Sequence, residues 1–148
     1  GHRSDIDKSL EWFLNKYGTS TTTNFDLKDI LRDLKLECKV IMRDEIKNYL
    51  HSDQRNGNII FNLDTSNNKG THWLLASKEF KIYFDSYGIL PVKEIYEYIK
   101  DDFKYNTLQV QPENSEMCGQ LCIYVLYQLE NKMSFEDIIL ELHENFSL

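Results

Sequence analysis

Proline is almost missing from this chain, with two residues in 148, and glycine is sparse at six. That scarcity argues against long disordered stretches, so the chain is expected to fold throughout. Positive charge is also in deficit. Lys and Arg number 17 against 24 Asp and Glu, a formal net charge of -7, and the summed field of such a chain repels phosphates and excludes a broad nucleic-acid footprint. The three cysteines, at 38, 118 and 122, are an odd number without a CxxC pair or a Cys/His quartet. Neither a disulfide framework nor a structural zinc site is the natural reading, and a reducing compartment is expected. No run approaches the length of a membrane span, and no basic-then-apolar leader is visible, so the expectation is a soluble chain without a membrane partner.

Hydrophobic residues make up 41% and charged residues 28% of the sequence. At 148 residues this supports a single domain over 1–148, with one apolar core that needs no staple. The opening Gly1-His2-Arg3 reads as a tag remnant and is set aside. Leu10, Phe13, Leu14 and Tyr17, followed by Gly18, have helical spacing; Leu27, Ile30, Leu31 and Leu34 repeat it with Asp26 as the cap. GTSTTTN between them is a loop.

From Asn58 the pattern changes to short β-rich runs, IIFNL, HWLLA and FKIYFD, separated by DTSNNKG and by Ser77 to Glu79. They predict a small antiparallel sheet. Ile95, Ile99 and Phe103 then recur at helical spacing, and Leu108 to Gln111 is short and strand-like, a return to the sheet. From Cys118 to Leu129 nearly every position is apolar, which predicts a helix buried on most sides. A last helix, with Ser134 to Asp137 as a capping-box variant, places Ile138, Leu142 and Phe146 on one face to cover the sheet. The fold class read from this order is α+β, a small mixed or antiparallel sheet packed against helices.

Four polar residues stand out against that scaffold. With a tight turn at Lys78 and Glu79, His72 lies opposite Asp85 on one face of the sheet, their Cβ atoms about 5 Å apart, so the carboxylate can orient the imidazole and stabilise its charged form. A one-residue bulge would flip the face and separate them. Cys118 opens the apolar helix, where unpaired amides and the helix dipole favour a thiolate; such positions bring a thiol from about 8.5 to roughly 3.5–7.5. Cys122, a turn further in on the apolar stripe, and Cys38, at a helix end, read as packing residues. Gln111, seven residues before Cys118, can donate an amide N–H to a developing oxyanion, with the Cys118 backbone N–H as second donor. Taken singly, each of these residues is commonly structural, as are His51, His143 and the Tyr and Phe content.

Read in order, GTHW at 70–73, YFDSYG at 83–88, Gln111 and NSEMCG at 114–119 resemble the adenovirus maturation protease family, most closely the versions encoded by Polinton (Maverick) elements and virophages. The resemblance runs over about residues 27–130 and includes IIFNLD before GTHW and MRDEI at 42–46. It implies a papain-like, adenain-like cysteine protease fold with the nucleophile at the N-terminus of a central helix. By that resemblance Cys118 is the nucleophile, His72 the general base, Asp85 its orienting acid, and Gln111 the oxyanion donor, while Trp73 flanks the substrate cleft. The implied activity is an endopeptidase that matures viral capsid or other structural proteins, cutting beside small residues. It would act in the virion and the host-cell cytoplasm or viral factory, as a monomer without cofactor or metal.

The adenovirus enzyme is DNA-assisted and takes a peptide cofactor. This acidic chain lacks the positive charge that such assistance exploits, so no DNA requirement is expected, and nothing singles out a cysteine for a peptide activator. The nearest alternative is a protease that removes ubiquitin- or SUMO-like modifiers, which shares the His, Asp, Gln, Cys order. In that family the glutamine usually stands six residues before the cysteine in a phrase ending Asp-Cys-Gly, whereas here the spacing is seven and Met117 replaces the aspartate. An inactive binding domain on the same fold and a zinc protein using Cys118, Cys122 and a histidine are the remaining alternatives.

Overall fold

The computed structural model describes residues 9–50, 57–64 and 72–146. Most of the DTSNNKG connector, His51, Gly70 and Thr71 of the GTHW motif, and the opening residues lie outside the described residues.

Helix α1, Leu10–Tyr17, starts where the Ser9 hydroxyl accepts the Trp12 N–H and stops at Gly18, whose φ of 83° suits a residue without Cβ. Helix α2 is Asn24–Asp33. Its cap is Thr23 rather than Asp26: the Thr23 hydroxyl accepts the Asp26 N–H at 3.1 Å and the Asp26 carboxylate accepts the Thr23 N–H at 2.9 Å, a reciprocal capping box. Of the four residues the periodicity selects, Leu27, Ile30 and Leu31 are buried, whereas Leu34 is the half-buried residue that ends the helix.

The sheet has five strands in the order β1 (Lys39–Met42), β2 (Asn58–Asn62), β3 (Trp73–Ser77), β4 (Ile82–Phe84) and β5 (Lys104–Tyr105). The three predicted runs are the antiparallel centre, but β1 and β5 join its edges in parallel, so the sheet is mixed. A 3-10 helix, Arg43–Tyr49, follows β1, and the MRDEI segment straddles their junction. Leu108 to Gln111 is not a strand. The fifth strand is earlier and shorter, and the Val110 N–H, donated to the Ser86 carbonyl at 2.7 Å, helps keep that later segment beside the sheet.

Both faces of the sheet are covered, which is why the central strands are buried at every position. Ile60, Leu75, Ile82 and Phe84 belong to a core shared with the helices of the first face, whereas Ile59, Phe61, Leu74, Ala76 and Tyr83 pack with Ile46 of the 3-10 helix and with α3, Lys93–Ile99. Helix α3 ends at Lys100, which adopts a left-handed φ of 68°, so Phe103 falls beyond it. Arg43 reaches across to Glu94 through two bonds of 2.9 and 3.1 Å, pinning α3 to the 3-10 helix.

The central helix α4, Cys118–Glu130, lies on the first face against β3 and touches α1, α2 and α5. All its residues but Tyr127 and Glu130 are buried, as the near-continuous apolar run predicts. Helix α5, Phe135–Phe146, begins with the Ser134 hydroxyl accepting the Asp137 N–H at 3.2 Å. Its principal packing partner is α4 rather than the sheet it was expected to cover.

The start of α4 leaves no room for a side chain at residue 119. A Cβ on Gly119 would stand 2.3 Å from the Thr22 hydroxyl and 2.8 Å from a Leu27 methyl, with the Trp73 ring at 3.3 Å. Gly119→Ala is therefore expected to destabilise the protein by about 1–3 kcal/mol, the usual cost of overpacking. A lowered midpoint in thermal unfolding checks this; an unchanged one would mean that the contact between α4 and the α1–α2 loop is loose.

Candidate active site

The β3–β4 hairpin brings the first two site residues together. Ser77 pairs with Ile82, Ala76 with Tyr83 and Leu75 with Phe84, so the connecting loop is residues 78–81 and not the expected two-residue turn. Its extra length is accommodated by Lys81 at φ 53°, and the Ser77 hydroxyl accepts the Phe80 N–H at 3.1 Å to brace it. The register is thus shifted by two residues from the sequence expectation. Because side chains alternate with a period of two, that shift preserves the face and changes only which residues stand directly opposite. His72 and Asp85 become diagonal neighbours, still in reach: His72 Nε2 lies 2.8 Å from Asp85 Oδ1.

Asp85 is 3% and His72 9% exposed, so their ion pair forms away from bulk water. Asp85 Oδ1 also accepts the Tyr87 N–H at 2.8 Å, which fixes the carboxylate in the turn that follows β4. The Tyr87 ring stands against the imidazole, with centroids 4.9 Å apart and planes at 31°.

Cys118 arrives from the other side, at the first turn of α4. Met117 supplies no side-chain cap, so the first amides of the helix have no capping acceptor and face the thiol end. Trp73 registers helix against strand: its N–H donates to Cys118 Sγ at 3.5 Å, and its carbonyl accepts from the Cys122 thiol at 3.4 Å. Two cysteines one helical turn apart therefore grip one residue of β3, and the residue before it, His72, is left facing Cys118. Cys118 lies close enough to the imidazole to raise its proton affinity. With Nε2 on Asp85, Nδ1 is the nitrogen available to sulfur.

Burial alone would lower the proton affinity of His72, but the hydrogen-bonded carboxylate of Asp85 and the neighbouring Cys118 outweigh it and lift its pKa to about 9. The imidazole is thus poised to remain charged at neutral pH. Burial pushes the thiols of Cys122 and Cys38 up, which leaves both as neutral packing groups, as the sequence suggests.

Gln111 is 1% exposed and held on three sides. The Ser86 hydroxyl donates to its Oε1, and its Nε2 donates to the Ser115 carbonyl at 3.0 Å and to the Tyr87 hydroxyl at 3.3 Å. The Ser115 carbonyl, which can only accept, fixes which end of the amide is nitrogen, so the N–H groups point toward Tyr87 and the segment before α4. Trp73 is itself buried, its indole N–H donating to the Thr22 carbonyl at 3.2 Å, and it borders Gly119 beside Cys118.

The structure therefore brings His72, Asp85 and Cys118 together and ties Gln111 to Ser86 and Tyr87 of the turn that follows Asp85. Ser86, Tyr87 and Asn106 have no counterpart in the sequence reading. Ser and Tyr inside a Ser-Tyr-Gly turn look like turn chemistry, and Asn106 follows a two-residue strand that no periodicity reveals. Among the described residues no group of three or more His, Cys, Asp or Glu is placed to hold a metal. Also among them, no helix is long and apolar enough to cross a membrane.

Compared with known proteins, the chain matches no protein-family model, and a search of curated proteins finds no match.

Proposed function

We propose that this protein is a cysteine endopeptidase of papain-like, adenain-like fold in which Cys118 attacks the scissile carbonyl, His72 manages the proton and Asp85 orients and charges His72. The observation that carries the reading is the buried His72 Nε2–Asp85 Oδ1 pair with Cys118 beside it, at the first turn of a helix whose N-cap residue supplies no side-chain cap. An imidazole oriented by a carboxylate on one nitrogen, with a thiol beside the ring, is the arrangement nucleophilic acyl transfer needs.

In the proposed cycle the Cys118 thiolate adds to the carbonyl carbon while His72 carries the proton. The resulting oxyanion takes the Cys118 backbone N–H and one N–H of Gln111. Of the two Gln111 hydrogens, the one on Tyr87 makes the longer bond, 3.3 Å against 3.0 Å to Ser115, and is the one exchanged for the oxyanion. Collapse of the adduct breaks the C–N bond as His72 gives its proton to the leaving amine. Neutral His72 then takes a proton from water, hydroxide attacks the thioester, and the acid product leaves with Cys118 restored.

Gln111→Ala is expected to lower kcat on the order of 10²–10³-fold, the effect of losing one oxyanion donor, with a smaller change in KM. Steady-state peptide hydrolysis measures it, and a mutant that raised KM alone would reassign Gln111 to substrate binding.

The substrate class comes from the resemblance: capsid or other structural proteins of a virophage or Polinton-like virus, processed in the virion or the viral factory. Incubating the protein with such a precursor and, separately, with a ubiquitin- or SUMO-like modifier precursor tests the choice, with Cys118→Ala as the blank. Site-specific cleavage of the first alone supports maturation, and cleavage of the second alone transfers the reading to deconjugation. Adding DNA is expected to leave the rate unchanged at low salt, as the net charge of -7 disfavours such a partner; strong DNA stimulation would contradict this.

A further inference from the structure

The parallel ladder between β4 and β5 has only two rungs, Ile82 with Lys104 and Tyr83 with Tyr105, and it stops before reaching Asp85. The acid of the site thus stands past the end of regular sheet pairing. Its main-chain groups are nevertheless held, because Asn106, the residue after β5, is turned inward and only 5% exposed. Asn106 Oδ1 accepts the Asp85 N–H at 3.2 Å, and its Nδ2 donates to the Asp85 carbonyl at 2.6 Å. The same Nδ2 donates to the Leu108 carbonyl at 3.1 Å. One carboxamide therefore performs the two-way exchange that another backbone rung would supply.

We infer that Asn106 is the positioning residue for Asp85: its side chain extends the β4–β5 ladder to the acid's main chain and so fixes the carboxylate against His72. The catalytic meaning of this role rests on the triad reading above, whereas the structural coupling does not.

Few degrees of freedom are left to the acid. Asp85 Oδ1 divides its lone pairs between His72 Nε2 and the Tyr87 N–H, both at 2.8 Å, so its place follows from the backbone of residues 85–87. That backbone is tied at residue 88, whose N–H donates to the Asp85 carbonyl at 2.8 Å, and at Ser86, whose carbonyl receives Val110. Asp85's own N–H is held by Asn106. Removing the carboxamide leaves a buried N–H without its acceptor, and the turn must move toward water or another partner. The groups facing His72 are Asp85, Cys118 and the Tyr87 ring; Asn106 acts on it only through Asp85. The chemistry also selects the residue type: aspartate has no donor, leucine has neither group, and serine has one hydroxyl with shorter reach.

The test is an NMR titration of the His72 ring protons, assigned by their loss in His72→Ala, in the wild type and in Asn106→Ala. The wild type is expected to titrate near pH 9 and Asn106→Ala at least about one unit lower, a tenfold loss of proton affinity. Asn58→Ala is the control. It deletes another buried carboxamide, which links Glu37 and Ser77, and should cost stability without moving the His72 midpoint. Should Asn106→Ala fail to fold, Asn106→Ser, which keeps one hydroxyl, takes its place and is expected to lower the midpoint by a smaller amount. A folded Asn106→Ala, or failing that Asn106→Ser, with the wild-type midpoint overturns the inference, as does an equal shift in Asn58→Ala. No substrate is needed, so a chain that cleaves nothing would refute the protease reading while the coupling of Asn106 to His72 stands or falls on the titration alone.

Discussion

Under the proposed mechanism Cys118→Ser and His72→Ala are each expected to lower kcat roughly 10⁴- to 10⁶-fold, because groups that act as a unit lose nearly all of their effect when either is removed. The two variants fail for different reasons. Serine keeps the size and the contacts of Cys118 with Trp73, but its hydroxyl does not ionise at neutral pH, so the nucleophile is lost while the strand–helix register stays. Alanine at 72 removes the proton carrier and leaves Asp85 buried at 3% exposure without its cationic partner, so that variant is also expected to be less stable. Active-site-normalised peptide hydrolysis with a thermal melt on each protein measures both effects. Retention of more than about a hundredth of wild-type kcat in either variant would not fit a covalent mechanism through this pair.

Asp85→Asn produces the second large effect, a fall in kcat on the order of 10⁴-fold with the fold intact. The asparagine oxygen can still accept the Tyr87 N–H, so the turn survives, but its amide no longer stabilises a charged imidazole. The sign follows from the opposing influences on His72. Burial lowers its pKa, and the Asp85 and Cys118 interactions raise it from 6.5 to about 9; without the carboxylate, burial gains the upper hand and the midpoint falls. A group whose pKa rises on folding adds stability below its unfolded value and loses it as pH rises through the folded one. In the wild type that contribution is complete below about 6.5 and disappears as pH passes about 9. Thermal melts across this window should therefore converge for wild type and Asp85→Asn at the alkaline end. Parallel curves over the whole range would show that Asp85 does not govern His72.

Much of this site is legible in the sequence because it depends on parity and on helix ends. The run after Cys118 is apolar at nearly every position and becomes the buried helix α4, with Cys118 at its first turn. The hairpin loop is longer than a two-residue turn, yet His72 and Asp85 still meet, since a two-residue change in register keeps the face. Other features are invisible for physical reasons. Lys39–Met42 is a four-residue edge strand paired in parallel with a distant partner, and Lys104–Tyr105 is shorter still, so neither carries a readable period. Thr23 rather than Asp26 caps α2 because both residues suit an N-terminus, and the hydroxyl's position relative to the first turn decides between them. The same limit hides Asn106 and Ser86. Each works through one side-chain hydrogen bond or a pair of them across more than 20 residues of sequence, a relation that exists only once the turn at Asp85 has formed.

The adjacent contacts of Trp73 suggest why two cysteines open the same helix. Cys122 offers its proton to the Trp73 carbonyl from a fully apolar setting, while Cys118 receives the Trp73 N–H and faces His72. Both thiols fasten the strand to the helix, and Cys118 is the one proposed to react. Alkylation by iodoacetamide at pH 7, followed residue by residue with mass spectrometry in the wild type and in His72→Ala, tests that division and the ion pair at once. Cys118 is expected to be modified well ahead of Cys38 and Cys122, and its rate to fall about tenfold or more without His72. Cys118 reacting no faster than the two packing cysteines, or at the same rate with and without His72, would contradict the assignment of Cys118 and His72 as a reactive pair.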